Sequence, residues 1–240
     1  MKGLLDVVVS DTQIAFILGR LISDNITVSF EVMHYLKRER RGREGSMALK
    51  LDMSKAYNMV EWGHLHAILL QMGFTERWVD LILTCVTSVS YTIVHGGREM
   101  GPIFPTHGIR ERDPFSLYLF IICVEDLFSF IRVYESWKWI IGIKVCSYIF
   151  CKAFPEDAIR VLELLHKFEE ASSQQVNLEK SNVFFSANVA GPTQLDLCNI
   201  LQMAEAFEHI TYLGLPNTLG RSKSVSLGFL KDIIRKKVQD

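Results

Sequence analysis

Along the chain, Leu49, Leu51 and Met53 alternate with Lys50, Asp52 and Ser54, the period of a strand with one buried face. Upstream, Ile22, Ile26, Phe30 and Met33 share one helical stripe that Ser23 or Asp24 can cap, and this helix runs out into KRERRGREG at 37–45. Two helices are expected at roughly 60–72 and 75–87, parted by Gly73. Val89, Tyr91 and Ile93 then alternate with Ser90 and Thr92 in a strand that stops at Gly96-Gly97, a turn signal. A loop carrying Gly101, Pro102, Pro105 and Gly108 leads to Asp113-Pro114, an N-cap followed by proline at the first helical position. The helix it opens, to about Arg132, is apolar on most sides and belongs in the core.

Lys138 to Cys146 reads as a strand. Pro155 opens a helix with Ala158, Val161, Leu165 and Phe168 on one face. Asn182 to Ser186 is a short strand, TYLGLP at 211–216 is extended, and 223–238 is helical, its closing Arg235, Lys236 and Lys237 suiting a helix C-terminus. The pattern is α+β: a sheet covered mainly on one face by helices.

Composition narrows this further. The 240 residues are 49% hydrophobic and 22% charged, enough for one large domain or two small ones. A formal net charge of −1 is a small vote against a nucleic-acid protein. The basic run at 37–45 is diluted by Glu39 and Glu44 and reads by default as a solvated helix end. The apolar run Pro114 to Val124 is too short to cross a bilayer, and Asp6 interrupts LLDVVV, so neither membrane span nor signal peptide is expected. Five cysteines make no disulfide framework. Cys146 and Cys151 have chelating spacing without a second pair, which leaves buried free thiols in a reducing compartment. The feature that stands out is Asp52. A carboxylate at a strand's end can serve a site, since strand ends are rigid and open to ligands, or it can cap a turn.

Five segments in series carry a resemblance. TQIAFILGRLISDN (12–25), MALKLDMSKAYNMVEW (47–62), GIRERDPFSLYLF (108–120), VNLEKSNVFFS (176–186) and YLGLP (212–216) resemble, in order and nearly in spacing, the reverse transcriptase domain of plant LINE-type (non-LTR) retrotransposons. They correspond to a fingers motif, motif A, motif B, motif D and the primer grip. The resemblance implies a right-hand polymerase: partial fingers at 1–46, a palm at 47–215 built of an antiparallel sheet with helices on one face, and the start of a thumb at 216–240. It implies RNA-directed DNA synthesis on an RNA template and DNA primer from deoxynucleotides, in the nucleus or cytoplasm. Two Mg²⁺ ions would bracket the attacking and leaving oxygens. Asp52 matches the motif A metal ligand and Lys180 the motif D lysine that can act as general acid. Lys50, Tyr57, Gly108, Arg110, Asp113 and Pro114 match substrate-binding positions, Tyr57 as the aromatic gate against a ribose 2′-OH. Tyr212, Leu213 and Gly214 match the primer grip.

The chain also departs from that pattern. The family's hairpin with two adjacent aspartates belongs between GIKVC (142–146) and Pro155, where only SYIFCKAF stands at 147–154. Glu156-Asp157, Glu125-Asp126 and Glu169-Glu170 are the substitute acids in reach, all within helical patterns. In motif B, Glu111 puts a negative charge where phosphates would approach. Arg112 replaces a glycine that allowed close approach or an unusual φ, and Asn58 stands at a frequent second aspartate. These departures predict little or no polymerase activity. The alternatives are a catalytically dead nucleic-acid-binding module or a retrotransposon remnant without function. Loss of the hairpin is further expected to leave the sheet short of central pairing.

Overall fold

In the computed structural model, Ser46–Lys50 forms β1, the centre of a five-stranded sheet ordered β5-β6-β1-β8-β9. The structure describes residues 9, 31–40, 42, 44–140, 142–145, 148–206, 211–212 and 215–216, with backbone alone for 142–145, 211–212 and 215–216. Residues 31–38 are helical (α1). After β1 come β2 (Met53–Ser54), α2 (Trp62–Gln71), α3 (Glu76–Thr87), β3 (Tyr91–His95), β4 (Arg98–Ile103) and α4 (Pro114–Ser136). Then follow β5 (Gly142–Val145), β6 (Tyr148–Lys152), α5 (Pro155–Ser172), β7 (Gln175–Val176), β8 (Asn182–Phe185), α6 (Gly191–Leu201), β9 (Ala204–Glu205), β10 (Thr211–Tyr212) and β11 (Leu215–Pro216).

Strand alternation sorts the sheet's side chains onto two faces. Met47 and Leu49 of β1, Ile149 and Cys151 of β6, and Val183 of β8 pack against Ile131, Val161, Phe168 and Leu201, from α4, α5 and α6. On the other face Ala48, Tyr148, Phe150 and Phe184 meet Val32, Met33 and Leu36 of α1. Three helices on one face and α1 on the other agree with an α+β sheet covered mainly on one side. A second core joins α2 and α3 through Leu65, Leu69, Val79 and Ile82 to Leu119, Ile122 and Cys123 in the first half of α4. The second half of α4 lies on the sheet. A helix shared by two cores must be apolar nearly all round, and by length and composition α4 would also pass for a membrane span. Half of its most apolar window is buried inside the protein, which suits a core helix.

Several boundaries differ from expectation. β4 occupies residues read above as loop, because Gly101 and Pro102 are poor strand formers; among the described residues it pairs with β3 alone, and every residue of both strands is exposed. Gly96 and Gly97, at φ +58° and +76°, make the tight turn of this hairpin. α4 runs to Ser136, and Lys138 at φ +59° turns the chain out of it, so the strand expected from Lys138 shrinks to Gly142–Val145. The helix α6, opened by a proline in its first turn, was not expected. The sheet, moreover, is not short of central pairing: β1 is hydrogen-bonded by β6 on one side and β8 on the other, and β5 closes onto β6. The helix expected at 223–238 lies outside the described residues.

Candidate active site

Asp52 follows β1 and precedes β2, so its backbone is held from two directions. Its N–H donates to Ser181 Oγ at 3.0 Å, and its carbonyl accepts the Asn177 N–H at 2.8 Å. Ser181 in turn donates its hydroxyl to the Asn177 carbonyl at 2.7 Å. The turn carrying Lys180 therefore folds against the Asp52 segment, and Asn177 Oδ1 accepts the Lys180 N–H at 3.1 Å. Pairing of Met53 with Val176 continues this seam. Asn177 and Ser181 were not singled out from sequence, although both lie inside the VNLEKS stretch, and Asn and Ser are residues that tie turns through their side chains. Asp52 itself is exposed and Lys50 half-buried. Burial lowers the Lys50 pKa from its ordinary value, and the charge of Asp52 opposes the shift.

A second seam joins the turn at 55–59 to the loop before α4. Ile109 N–H donates to the Tyr57 carbonyl at 2.9 Å and Gly108 N–H to the Val60 carbonyl at 2.7 Å. The Trp62 indole donates to the Gly108 carbonyl at 2.8 Å. Gly108 has φ +87°, and a Cβ there would stand 3.0 Å from the Asn58 carbonyl oxygen; only glycine meets both demands comfortably. Tyr57 stacks on Phe120 of α4 with centroids 5.0 Å apart. Its pKa is raised by burial and then by the charge of Glu111, which places that acid's field on the aromatic position. Asp113 caps α4 as expected, its Oδ1 accepting the Phe115 N–H at 2.8 Å, with Pro114 next. Arg112 sits at φ +64°, left-handed backbone that costs a side-chain-bearing residue about 1–2 kcal/mol. Asn58, Cys85, Tyr91, Phe104, Arg110 and Asp113 line a cavity of about 630 Å³ on this side of the molecule.

The structure thus brings Tyr57, Gly108, Arg110, Asp113 and Pro114 into one neighbourhood and sets Asp52 beside the Lys180 turn. Tyr212 pairs with Leu215 through the backbone, and Leu213 and Gly214 lie outside the described residues. Among the described residues, the substitute acids read from the sequence either have partners away from Asp52 or lie exposed. Glu125 is buried and bonded to Arg132 at 3.0 Å, and Asp126 faces His64 at 3.8 Å. Asp157 is buried against Arg160 at 2.9 Å, and Glu169 accepts the Val176 N–H at 2.8 Å; Glu156 and Glu170 are exposed. Among the described residues no three His, Cys, Asp or Glu side chains are grouped to hold a metal ion, so this donor set does not fit a pair of divalent cations.

A sheet that delivers one acid from its central strand, next to a capped helix and its glycine-hinged loop, has the layout of a polymerase palm. The sequence matches the reverse transcriptase (RNA-dependent DNA polymerase) family over residues 2–217, and the chain belongs to that family. Over 94 residues, 39% of this chain and 16% of the relative, it is 29% identical to the retrovirus-related Pol polyprotein from type-1 retrotransposable element R2 of Popillia japonica. Over 196 residues, 76% of this chain and 14% of the relative, it is 24% identical to the transposon TX1 uncharacterized 149 kDa protein of Xenopus laevis. The chain spans only those small shares of the relatives' lengths.

Proposed function

We propose that this chain is a reverse transcriptase palm that keeps its nucleic-acid-binding scaffold and has lost nucleotidyl transfer. Members of this family work with a divalent cation on a template and primer; in the full activity Mg²⁺ would be that cation and deoxynucleotides the substrates. Asp52 stands as the remaining acid, Lys180 as the proton donor, and Lys50, Tyr57, Gly108, Arg110, Asp113 and Pro114 as the substrate surface, with Tyr212, Leu213 and Gly214 for the primer.

The observation that carries the loss is the register of one hairpin. Val145 of β5 lies opposite Tyr148 of β6, so only Cys146 and Ser147 connect them, and Tyr148 lies opposite Lys50. Val145 and Tyr148 therefore lie at the Asp52 end of the sheet, where the family's acidic pair belongs, and the two residues between them in the sequence are not acids. A transition state whose phosphoryl charge meets one acid's worth of cation goes largely unneutralised. Glu111 adds a like charge on the same side.

Primer extension with Mg²⁺ and with Mn²⁺ tests this. Expected is no extension above the Asp52→Ala background, with primer–template binding that falls steeply as salt rises. Extension by the native chain that Asp52→Ala abolishes overturns the inactive reading. A gel shift that is absent or indifferent to salt overturns the binding half.

A further inference from the structure

At the opposite end of β1, where Ser46 pairs with Lys152, α4 ends in an aromatic cluster that the palm's chemistry does not use. Trp137 and Trp139 pack with centroids 4.7 Å apart, and both contact Tyr134 at 5.5 and 5.4 Å. Tyr134 is buried, yet Trp137 is 51% and Trp139 36% exposed. Cations border the cluster. Arg160 lies over the Trp139 ring at 5.4 Å and Lys167 over Tyr134 at 5.7 Å. Lys138 separates the two tryptophans in sequence and lines, with Trp139 and Lys152, a cavity of about 290 Å³.

The acids nearby are mostly committed. Asp157 is buried on Arg160, Glu44 pairs with Lys152 at 2.7 Å, and Glu135 is the exposed acid on the cavity rim. Two half-exposed indoles are expensive to leave in water, and lysines flanking them make a poor surface for an apolar protein partner. Exposed rings interleaved with cations are instead what unpaired bases and their phosphates require: each base stacks on a ring while the backbone runs along the charges. A duplex hides its base faces and gains nothing from the rings.

We propose that Trp137, Lys138 and Trp139, with Arg160 and Lys167, form a second binding surface for single-stranded nucleic acid. It lies about 14 Å or more from the Asp52 end by the length of β1, and it stands whether or not the palm holds a primer–template.

Fluorescence anisotropy with labelled oligo(U), oligo(dT) and a blunt DNA duplex tests the proposal on the full chain. Trp137→Ala and Lys138→Glu are each expected to weaken oligomer binding roughly tenfold while duplex binding holds. Preference for oligo(U) over oligo(dT) points to RNA, and equal affinity to single strands of either kind; both support the surface. Oligomer affinities within about twofold of the native chain, or equal losses on oligomer and duplex, overturn it. Lys138 is exposed, so Lys138→Glu keeps the test decisive if Trp137→Ala fails to fold. Primer–template binding measured separately distinguishes failure here from failure of the palm reading.

Discussion

Gln174 is 1% exposed, and both ends of its side-chain amide, Oε1 and Nε2, are buried without a hydrogen-bond partner. Its backbone N–H donates to Ser172 Oγ at 3.1 Å, so the unmet groups at issue are those of the side chain. An unpaired buried polar group costs about 1–3 kcal/mol. Leucine is of similar size and has no polar atoms, so Gln174→Leu removes that cost and adds apolar burial. We expect about 2 kcal/mol of added stability. For a domain of this size that corresponds to a Tm rise of roughly 4–8 °C, or a urea midpoint shifted up by somewhat under ~1 M at unchanged m. Gln174→Ala is the control: it relieves the polar cost and leaves a cavity, so it gains little or loses. A midpoint for Gln174→Leu equal to or below that of the native chain refutes the reasoning, because the amide would then be satisfied where it stands.

Three further substitutions probe the site's frame. Arg112→Gly relieves left-handed backbone at φ +64°; net of glycine's chain entropy it should add about 0.5–1 kcal/mol by thermal melting. Gly108→Ala meets both the wrong φ and the Asn58 carbonyl at 3.0 Å, and should lower stability by about 2 kcal/mol or more in urea titration. His64 has its pKa lowered from 6.5 chiefly by burial, with Asp126 opposing. Below its ordinary value the unfolded chain therefore takes up a proton that the folded chain resists, and stability falls as pH drops through about 6.5. Urea midpoints at pH 7.5 and 5.5 should show this fall in the native chain and a smaller one in His64→Gln.

The parts of this fold legible in sequence are those where local chemistry and tertiary packing agree. Gly73 does separate α2 from α3, and Asp113-Pro114 starts α4 because capping is decided within three residues. The alternation about Leu49 marks an extended segment, but β1 ends at Lys50 and both of its faces are buried, Leu49 on one side and Ala48 on the other. β4 was illegible because its hydrogen bonds go to a single partner and its side chains stay in water, so no buried face imposes a pattern. The closure of β5 onto β6 was illegible for a different reason. Sheet pairing is a property of backbone groups, so a strand can take a vacated place without any motif announcing it. In the site, Asp52, Gly108 and Asp113 carry local signatures. The ties from Asn177 and Ser181 to the Asp52 backbone span 125 and 129 residues of sequence and belong to the fold.

That the sheet closes without its acidic turn has an electrostatic side. Three carboxylates at one strand end repel; at about 4 Å each pair costs roughly 1 kcal/mol in a water-like medium and about 4 kcal/mol at the effective dielectric of a protein surface. A palm with three such acids offsets that repulsion by binding cations; on the proposed reading this chain has neither the repulsion nor the offset. Cys146→Asp combined with Ser147→Asp restores two acids to the link between Val145 and Tyr148, and the cost should return with them. In EDTA the double variant should melt below the native chain, and millimolar Mg²⁺ should raise its Tm while leaving the native Tm unmoved, as mass action on a folded-state site requires. Adding Asp52→Ala to the double variant should abolish the Mg²⁺ response. A native chain whose own Tm rises with Mg²⁺ in an Asp52-dependent manner would show that other carboxylates already converge there, and the reading of an emptied site would fail.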